Sequence, residues 1–535
     1  MMKKCQFPLS LLLLLLLMLM LMLAAILSPT HSLAADNTYL SEKDGVELNL
    51  TYTETPPKRP LPKILNAAQY ELKWKKGNHL DLNLVQDEQG VLYSADSNNT
   101  IHAIYPNGKE KWSLKLDPGF ETLINLFLGQ DGTLYAHTDD QLTVRGTSVI
   151  YAISPKGTIN WKLDSNELIS SHNYQFAGDA RGNLYLFNED GLVSLNAKGK
   201  INWVNTKFTS ADPWDLTDEG LSISLFLDRS GHLYLNSDEG EVISVDSDGV
   251  ERWRSGRLDF VHAFANFHPY FSDTGLIYFL TIDGLKALRT EDGSTVNLAR
   301  TVDNADILSA GVPSDGRGGF YIGDQGRLFK INLNGVVLWE YIGRGSETQG
   351  LGYLDDLLTD PMGNLYFSTG AGNIIGLNSN GQEFFVFLRN AFWHKHVNLT
   401  LGKNGNIYST SFDIGMLAFG KKQVQVYVDN LSLPLDVAPI KQNGTVLVPF
   451  RALFEHFGLD VKWDAATRKV TGTKEGLEIQ LTALQKVAYV NGKPKPLLAA
   501  PVIQGGNTFV PLRFLGETLG KKVSWDGISS SVNIN

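Results

Sequence analysis

The stretch DARGNLYLFNEDGLVSLNAKGKINW, residues 179–203, contains a pattern of turns, apolar strands and a tryptophan from which the fold can be predicted. A turn with Asp179 and Gly182 leads into a predicted strand that alternates apolar side chains with others. A second apolar run follows, and a turn around Gly199 leads to Trp203 at the end of a third strand. The stretch therefore predicts consecutive β-hairpins.

The glycine and tyrosine of this pattern, spaced Gly-x-apolar-Tyr, recur eight times along the chain. The intervals of about 42 to 50 residues match the length of a four-stranded propeller blade. We therefore expect a mainly β fold, with an eight-bladed β-propeller over residues 67–420. The eight pairs are Gly90 and Tyr93, Gly132 and Tyr135, Gly182 and Tyr185, Gly231 and Tyr234, Gly275 and Tyr278, Gly318 and Tyr321, Gly363 and Tyr366, and Gly405 and Tyr408.

A tryptophan ends the outer strand of most units. We expect its ring to pack between adjacent blades while the indole N–H finds a backbone carbonyl. The fifth unit continues through residues 295–298 without a tryptophan, and the seventh has Phe384 and Phe385 instead, so both blades are expected to pack less tightly. The tryptophans at this position are Trp112, Trp161, Trp203, Trp253 and Trp339.

Trp74 precedes the first unit and has no Gly-x-x-Tyr of its own, whereas the eighth unit ends at Phe419 without a tryptophan. We therefore predict that the N-terminal strand carrying Trp74 completes the last blade. Such a closure removes the exposed strand edges that otherwise invite aggregation.

The only cysteine is Cys5, so no disulfide can form within the chain. This count excludes thiol catalysis, zinc sites built from cysteines and a disulfide scaffold in the mature protein. The net charge of −10 is spread along the chain without a basic block, so we expect no nucleic-acid partner.

The N-terminus has the features of an export signal. Lys3 and Lys4 precede a run of Leu and Met over residues 9–27, and small residues at 32–34 suit signal peptidase, so residues 1–35 are predicted to be a signal peptide. Because the run approaches the length that spans a bilayer, a retained membrane anchor is the alternative. Residues 36–66 contain four prolines between positions 56 and 62 and are predicted to form a Pro-rich linker.

The C-terminal region, residues 421–535, is an internal duplication. Residues 424–473 align with 486–535 without a gap. Each half is predicted to contain a hairpin, a short helix and a strand–turn–strand unit, which gives a small α+β module of two similar halves. We place Pro449 and Pro511 in the first helical turn and Gly458 and Gly520 at the helix ends.

Two resemblances follow from these motifs. The segments AIYPNGKEKW (103–112) and AISPKGTINW (152–161) resemble the tryptophan-docking repeats of pyrroloquinoline-quinone-like propellers, over about residues 67–420. That family includes quinoprotein dehydrogenases and cofactor-free scaffolds such as the outer-membrane assembly propeller. The resemblance implies, for the dehydrogenases, a quinone held under a vicinal disulfide beside calcium and a catalytic aspartate, and that disulfide cannot form here.

The doubled Val-Pro-x-Arg and Val-x-Trp-Asp motifs resemble the copper amine oxidase N-terminal-domain family, a stalk-like unit, over about residues 424–535. In that enzyme, copper and the tyrosine-derived quinone sit in a separate, larger domain. The Asn-Tyr-Asp/Glu cofactor motif is also missing here, and the nearest string is Asn173-Tyr174-Gln175. The resemblance therefore implies no redox chemistry.

Several residues have a type and spacing that could form a metal or phosphate site. Asp246 and Asp248 could bind calcium but are expected to bond their own turn, and Gly316 to Gly319 are expected to form a turn and not a phosphate loop. His394 and His396 have a spacing that suits copper or zinc, but no third ligand can be identified.

The helix pairs Arg451 with Glu455 and Arg513 with Glu517 are expected to be structural ion pairs. We therefore expect no catalytic residue, no cofactor-binding residue and no metal site.

The sequence thus predicts a non-catalytic, exported binding or scaffold protein of the bacterial cell envelope or surface. The propeller would serve as interaction platform and the C-terminal module as spacer or attachment unit. The expected partner is a protein or a cell-wall glycan outside the membrane, with membrane contact only through a retained signal segment. A quinone-dependent dehydrogenase is the main alternative, and glycan recognition or hydrolysis is a further one.

Overall fold

The structure is a computed structural model. It describes residues 63–65, 69–77, 80–117, 123–139, 148–164, 175–188, 191–208, 225–237, 240–258, 269–281, 284–296, 314–315, 317–324, 327–332, 336–342, 354–370, 372–388, 397–411, 414–527 and 529–535. The predicted signal peptide, most of the predicted linker, the pair His394 and His396, and the string Asn173-Tyr174 lie outside the described residues.

Antiparallel sheets make up the region from 63 to 421 in the described residues, and each predicted unit contributes one of them. The first four are β3 (Leu80–Gln86), β4 (Leu92–Asp96), β5 (Thr100–Ile104) and β6 (Glu110–Lys115); β7 (Leu123–Leu128), β8 (Leu134–Asp139), β9 (Ser148–Ile153) and β10 (Ile159–Asp164); β11 (Gln175–Gly178), β12 (Leu184–Asn188), β13 (Gly191–Leu195) and β14 (Ile201–Asn205); and β15 (Leu225–Leu227), β16 (Leu233–Asn236), β17 (Val242–Val245) and β18 (Glu251–Arg254).

The other four sheets include two N-terminal strands, β1 (Lys63–Leu65) and β2 (Tyr70–Lys76). The fifth and sixth contain β19 (Tyr270–Phe271), β20 (Leu276–Thr281), β21 (Gly284–Arg289) and β22 (Thr295–Val296), and β23 (Gly319–Asp324), β24 (Arg327–Asn332) and β25 (Val337–Ile342). The seventh and eighth contain β26 (Leu354–Thr359), β27 (Leu365–Thr369), β28 (Ile374–Leu377) and β29 (Glu383–Leu388) with β1, and β30 (Asn398–Leu401), β31 (Ile407–Ser411) and β32 (Gly415–Lys421) with β2.

Shared apolar clusters join each of these sheets to the next in chain order, and another joins the eighth sheet to the first. The core therefore lies between the sheets, where the inner residues of neighbouring units interdigitate. The mainly β, propeller-like fold class is confirmed, and the count of eight blades for the whole ring stays a prediction.

The predicted role of the unit tryptophans is confirmed. Each indole N–H donates to a carbonyl in the outer turn of the next sheet, as from Trp112 to Pro155 and from Trp203 to Ser247, both at 3.0 Å. The ring lies flat on the glycine of that turn. At Gly157 a Cβ atom would come 2.7 Å from the Trp112 ring and φ is +80°, so both space and backbone conformation require glycine there.

The predicted closure is also confirmed, because β2 pairs antiparallel with β32 in the eighth sheet. Trp74 faces Ala418 across the pair, and its indole N–H donates to the Pro106 carbonyl of the first sheet at 3.0 Å. The outer strand of the last sheet therefore comes from the opposite end of the propeller region, and it makes the same tryptophan contact as the other units.

The seventh unit lacks a tryptophan for a reason that the closure explains. Phe385 occupies the equivalent position, opposite Gly376. In the eighth sheet no turn joins the two outer strands, since β32 and β2 belong to distant parts of the chain, so the turn carbonyl that accepts the indole elsewhere is missing. Phe385 is fully buried instead, and its ring centroid lies 5.0 Å from that of Tyr70.

In the fifth unit, Val296 takes the tryptophan position, opposite Ala287. The turn that would receive it, residues 333–335, lies outside the described residues. In the seventh sheet, β1, which falls within the predicted linker, adds a strand beside β29.

The repeated Gly-x-x-Tyr motif works together with an aspartate six residues before the tyrosine. In the third unit, Asp179 Oδ1 accepts the backbone N–H groups of Arg181 and Asn183 at 2.9 and 2.8 Å, and Oδ2 accepts the Tyr185 hydroxyl at 3.1 Å. The same tyrosine–aspartate bond occurs from Tyr93 to Asp87, from Tyr234 to Asp228 and from Tyr366 to Asp360. In these four units the carboxylate fixes the turn that precedes the Gly-x-x-Tyr strand.

We expect these turns to make the protein acid-sensitive. Burial alone would raise the pKa of Asp179 and Asp228, but hydrogen bonds from Asn183 and His232 together with the other turn donors hold both pKa values below the ordinary range. Because the unfolded-state pKa is about 3.9, this stabilisation is present above roughly pH 4 and is lost as the pH falls through the lower folded-state pKa. Urea unfolding between pH 2 and 7 measures it. Asp179→Asn should show a shallower acid decline, and an unchanged decline would contradict this role.

The C-terminal region forms a separate core from three sheets and two short helices. Its elements are β33 (Gln425–Val428), β34 (Leu431–Ser432), β35 (Ile440–Gln442), β36 (Thr445–Pro449), α1 (Phe450–His456), β37 (Asp460–Asp464), β38 (Lys469–Lys474), β39 (Leu477–Thr482), β40 (Val487–Val490), β41 (Lys493–Pro496), β42 (Val502–Gln504), β43 (Asn507–Pro511), α2 (Leu512–Thr518), β44 (Val523–Asp526) and β45 (Ser531–Ile534).

The two halves of the duplication interlock. The sheet orders are β34-β33-β45-β44, β35-β36-β43-β42 and β37-β38-β39-β40-β41, so every sheet takes strands from both halves. The predicted helices are confirmed, with Gly458 and Gly520 just past their ends. One detail is wrong. Pro449 and Pro511 precede the helices as N-caps and are not in the first turn, because both still belong to paired strands, with Pro449 facing Phe509 and Pro511 facing Leu447.

Candidate functional site

The C-terminal module packs on the propeller where the closure occurs. Lys73 lies at the bulge between Leu72 and Trp74 in β2 and is fully buried. Its ammonium group donates to Glu71 Oε1 at 2.6 Å and to the carbonyls of Gln423 and Ser529 at 3.2 Å. Burial lowers the pKa of Lys73, and the contact with Glu71 opposes that shift. One buried cation thus connects β2, the N-terminal latch strand that completes the eighth sheet, to both ends of the module.

Further side chains hold the same junction. The Asn107 amide donates to Asn430 Oδ1 and Asn533 Oδ1 at 3.1 and 2.7 Å. Tyr427 is almost completely buried, and its hydroxyl donates to Gln425 Oε1 at 2.7 Å. Gln425 in turn donates to Asn406 Oδ1 at 2.6 Å. These contacts attach the module rigidly to the first and eighth sheets.

Replacing Lys73 with methionine should weaken this junction. The two carbonyls and Glu71 lose their donor, and we expect a loss of about 1–3 kcal/mol in unfolding free energy. Urea unfolding and the rate of proteolysis near residue 422 measure the change. Lys111→Met is the matched control, because Lys111 is the bulge residue of β6 but is only partly buried. Equal effects of the two substitutions would contradict the special role of Lys73.

Two grooves occur at equivalent places in the duplicated module. The first has a volume of about 690 Å³ and lies between Trp463 on β37 and the β42–β43 hairpin, with Arg451 and Glu455 of α1 beside it. The second, about 290 Å³, lies between Trp525 on β44 and the β35–β36 hairpin. Each groove therefore combines a tryptophan of one half with a hairpin of the other.

The two groove tryptophans differ from those of the propeller. Trp463 and Trp525 are 38% and 39% exposed, and neither indole N–H has a hydrogen-bond partner among the described residues. Trp253 of the propeller, in contrast, is 8% exposed and its N–H donates at 3.0 Å. A half-exposed indole with an unused donor can offer both an apolar face and a hydrogen bond to a ligand.

The candidate calcium and phosphate-loop residues have structural roles where the structure describes them. Asp246 accepts the backbone N–H groups of Asp248 and Val250 at 3.0 and 2.9 Å, as expected of a turn residue. Arg317 and Gly319 likewise lie in a turn whose N–H groups donate to Asp315 at 2.8 Å.

The predicted ion pair between Arg451 and Glu455 forms with a separation of 3.7 Å, but Arg513 and Glu517 make no salt bridge in the described structure. In the described part of the chain, no group of three His, Cys, Asp or Glu side chains is placed to hold a metal ion. Nor does that part contain a helix long and apolar enough to cross a membrane.

Trp463 and Trp525 are not among the binding residues predicted from the sequence. In β37, alternation puts Trp463 on the same face as Val461, which packs against the core, so the pattern predicts a buried ring. The strand extends beyond the core at this point. The signal that could have revealed the grooves is the recurrence of one tryptophan in both halves of a module that has no blades for it to join.

Comparison with known proteins supports both resemblances. Residues 217–413 match the model of the family described as outer membrane protein assembly factor BamB, and residues 427–534 match that described as copper amine oxidase N-terminal domain. A protease inhibitor from Brevibacillus choshinensis is 33% identical over 104 residues, which are 19% of this chain and 32% of the inhibitor. The chain thus spans about a third of the length of that curated relative.

Among solved structures, BamB from Moraxella catarrhalis is 17% identical with a TM-score of 0.47, over 66% of this chain and 98% of that one. The WD40 β-propeller domain of Doa1 is 13% identical with a TM-score of 0.37, over 66% and 97%. The chain thus contains a region, residues 217–413, that is similar to the PQQ-like repeat family of BamB, and a C-terminal region, residues 427–534, that is similar to the copper amine oxidase N-terminal domain.

Proposed function

We propose that this protein is a non-catalytic, exported binding or scaffold protein of the bacterial cell envelope or surface. The propeller offers the interaction platform, and the C-terminal module is a rigidly attached binding unit. The family matched over residues 217–413, described as an outer membrane assembly factor, supports an envelope role. The apolar segment and small-residue site within residues 1–35 support export.

The proposal rests on a difference between the recurring carboxylates of the propeller and the exposed tryptophans of the C-terminal module. The carboxylates that recur in the propeller, such as Asp87 and Asp360, bond their own turns and tyrosines. Among the described residues, the exposed tryptophans of the module grooves, Trp463 and Trp525, make no hydrogen bond through their indole N–H groups. The chain therefore offers surfaces for recognition, and its repeated acidic residues serve the fold.

The test uses residues 36–535 with an affinity tag, incubated with solubilised envelope material and then cross-linked. We expect retained molecules whose cross-links map to propeller loops or to the module grooves. The same protein is assayed with pyrroloquinoline quinone, calcium, alcohols or sugars, and a dye acceptor. Dye reduction, or an absence of any retained envelope component, would overturn the proposal.

Export is tested separately by fractionating cells that express residues 1–535 and sequencing the N-terminus of the recovered protein. We expect the protein outside the cytoplasm with residues 1–35 removed. Recovery in the cytoplasmic fraction would contradict export, and an intact N-terminus in the membrane fraction would favour the anchor.

A further inference from the structure

We propose that the groove around Trp463 binds an uncharged carbohydrate, and that Lys441 has closed the equivalent groove around Trp525. The inference rests on the proposed binding role and gives it a ligand class and a place. The internal duplication supplies two copies of one groove. The lining side chains of the two copies differ at a small number of positions and can be compared directly.

Trp463 provides an aromatic surface for a ligand. It is exposed at the edge of its sheet, since β37 is the outermost strand, and its indole N–H is not used by the described residues. The axial C–H groups of a pyranose form an apolar face that stacks on such a ring. A sugar hydroxyl beside that face can then accept the hydrogen bond of the indole N–H.

Charged and polar side chains line the groove around Trp463. Arg451 and Glu455 face each other at 3.7 Å, so their charges offset each other beside the tryptophan. The remaining polar lining includes Asp436, Asn507 and Thr508, which supply both acceptors and donors. The lining thus combines mixed hydrogen-bonding groups with one further carboxylate, Asp436, which suits a polyhydroxylated, uncharged ligand better than an anion.

In the second groove, a lysine lies over the tryptophan ring. The Lys441 ammonium lies 4.8 Å from the centre of the Trp525 ring, which places a cation where a ligand would stack. With the 62-residue offset of the duplication, Lys441 corresponds to Ile503, so the first groove has no such cation. The second groove is accordingly less than half as large, at about 290 Å³ against 690 Å³.

Two other corresponding positions also differ. Asp436 in the first groove corresponds to Leu498 in the second, and Thr508 corresponds to Val446. Two hydrogen-bonding side chains of the first groove are thus apolar in the second. Both copies have kept the tryptophan and the arginine, Arg451 and Arg513, so they differ in the side chains that surround the ring.

The test uses residues 36–535 and isothermal titration with two neutral probes, the tetramer of β-1,4-linked N-acetylglucosamine and cellotetraose. We expect at least one to bind with one site per chain, and Trp463→Ala to weaken that binding by about tenfold or more. Trp525→Ala is the matched control and should leave the affinity unchanged. Thermal unfolding of each variant confirms that the module remains folded.

Two exchange variants separate the roles of the grooves. Ile503→Lys puts the residue of the closed groove into the open one and should weaken carbohydrate binding. Lys441→Ile removes the cation over Trp525 and should raise the number of sites from one towards two. Both positions are exposed or partly exposed, so neither substitution disturbs the core.

The inference is overturned if neither tetrasaccharide binds at millimolar concentration, or if Trp463→Ala and Trp525→Ala have equal effects. Binding of an extended peptide in place of the sugars would also overturn it. If envelope proteins are still retained through the propeller in any of these cases, the proposed binding role stands while the carbohydrate site fails.

Discussion

A chain that begins at residue 78 is expected to lose most of its folding stability, whereas a chain that begins at residue 67 keeps it. The difference is β2, which supplies Tyr70, Leu72 and Trp74 to the clusters on both sides of the eighth sheet. Removing large buried side chains costs about 2–5 kcal/mol each, and a whole domain is stable by only about 5–15 kcal/mol. The loss also exposes β32 as a new sheet edge.

The chain beginning at residue 67 is the matched control, because it removes β1 and keeps β2. β1 adds only three residues to the outside of β29, so we expect little change in melting temperature. Thermal unfolding followed by circular dichroism compares the two chains. Similar melting temperatures for both would show that the propeller does not depend on the N-terminal latch.

The substitution Gly415→Ala, which adds a single methyl group, is expected to cause the second large loss of folding stability. Gly415 begins β32 with φ at +82°, and an added Cβ would lie 2.6 Å from the Gly77 carbonyl carbon and 2.7 Å from the Lys76 oxygen. Gly415→Ala therefore combines a left-handed backbone with a clash against the end of β2. We expect it to cost about 2–5 kcal/mol in unfolding free energy.

Gly405→Ala serves as the control for Gly415→Ala. Gly405 lies in the same sheet with φ at +75°, but a Cβ there meets nothing within 4 Å. It should cost only the backbone term of about 1–2 kcal/mol. Urea unfolding gives both values, and equal losses would mean that the contact with Gly77 does not constrain the closure.

Much of the propeller can be predicted from its sequence because each unit carries complete local signals. The tryptophan, the turn glycine and the Gly-x-x-Tyr motif recur with the spacing of the strands that they stabilise. The closure can also be predicted, because Trp74 has no Gly-x-x-Tyr motif of its own and the eighth unit has no tryptophan. The reason for the missing tryptophan in the seventh unit is not visible locally, since it depends on the absence of a turn in the next sheet.

The module and its grooves are harder to predict. The duplication is plain in the sequence, but the exchange of strands between the halves depends on long-range pairing, such as the parallel pair of β33 and β45. The grooves arise only from that exchange, because each tryptophan faces a hairpin of the other half. The buried position of Lys73 is likewise set by the docked module and not by its own strand.

Hydrogen exchange of residues 36–535 measures whether β2, the last sheet and the C-terminal module form one rigid unit. We expect the amides of β2 to be as strongly protected as those of β31 and β32, and those of β33 to exchange no faster. Rapid exchange of β2 beside a protected β31, or of β33 beside a protected β32, would contradict it.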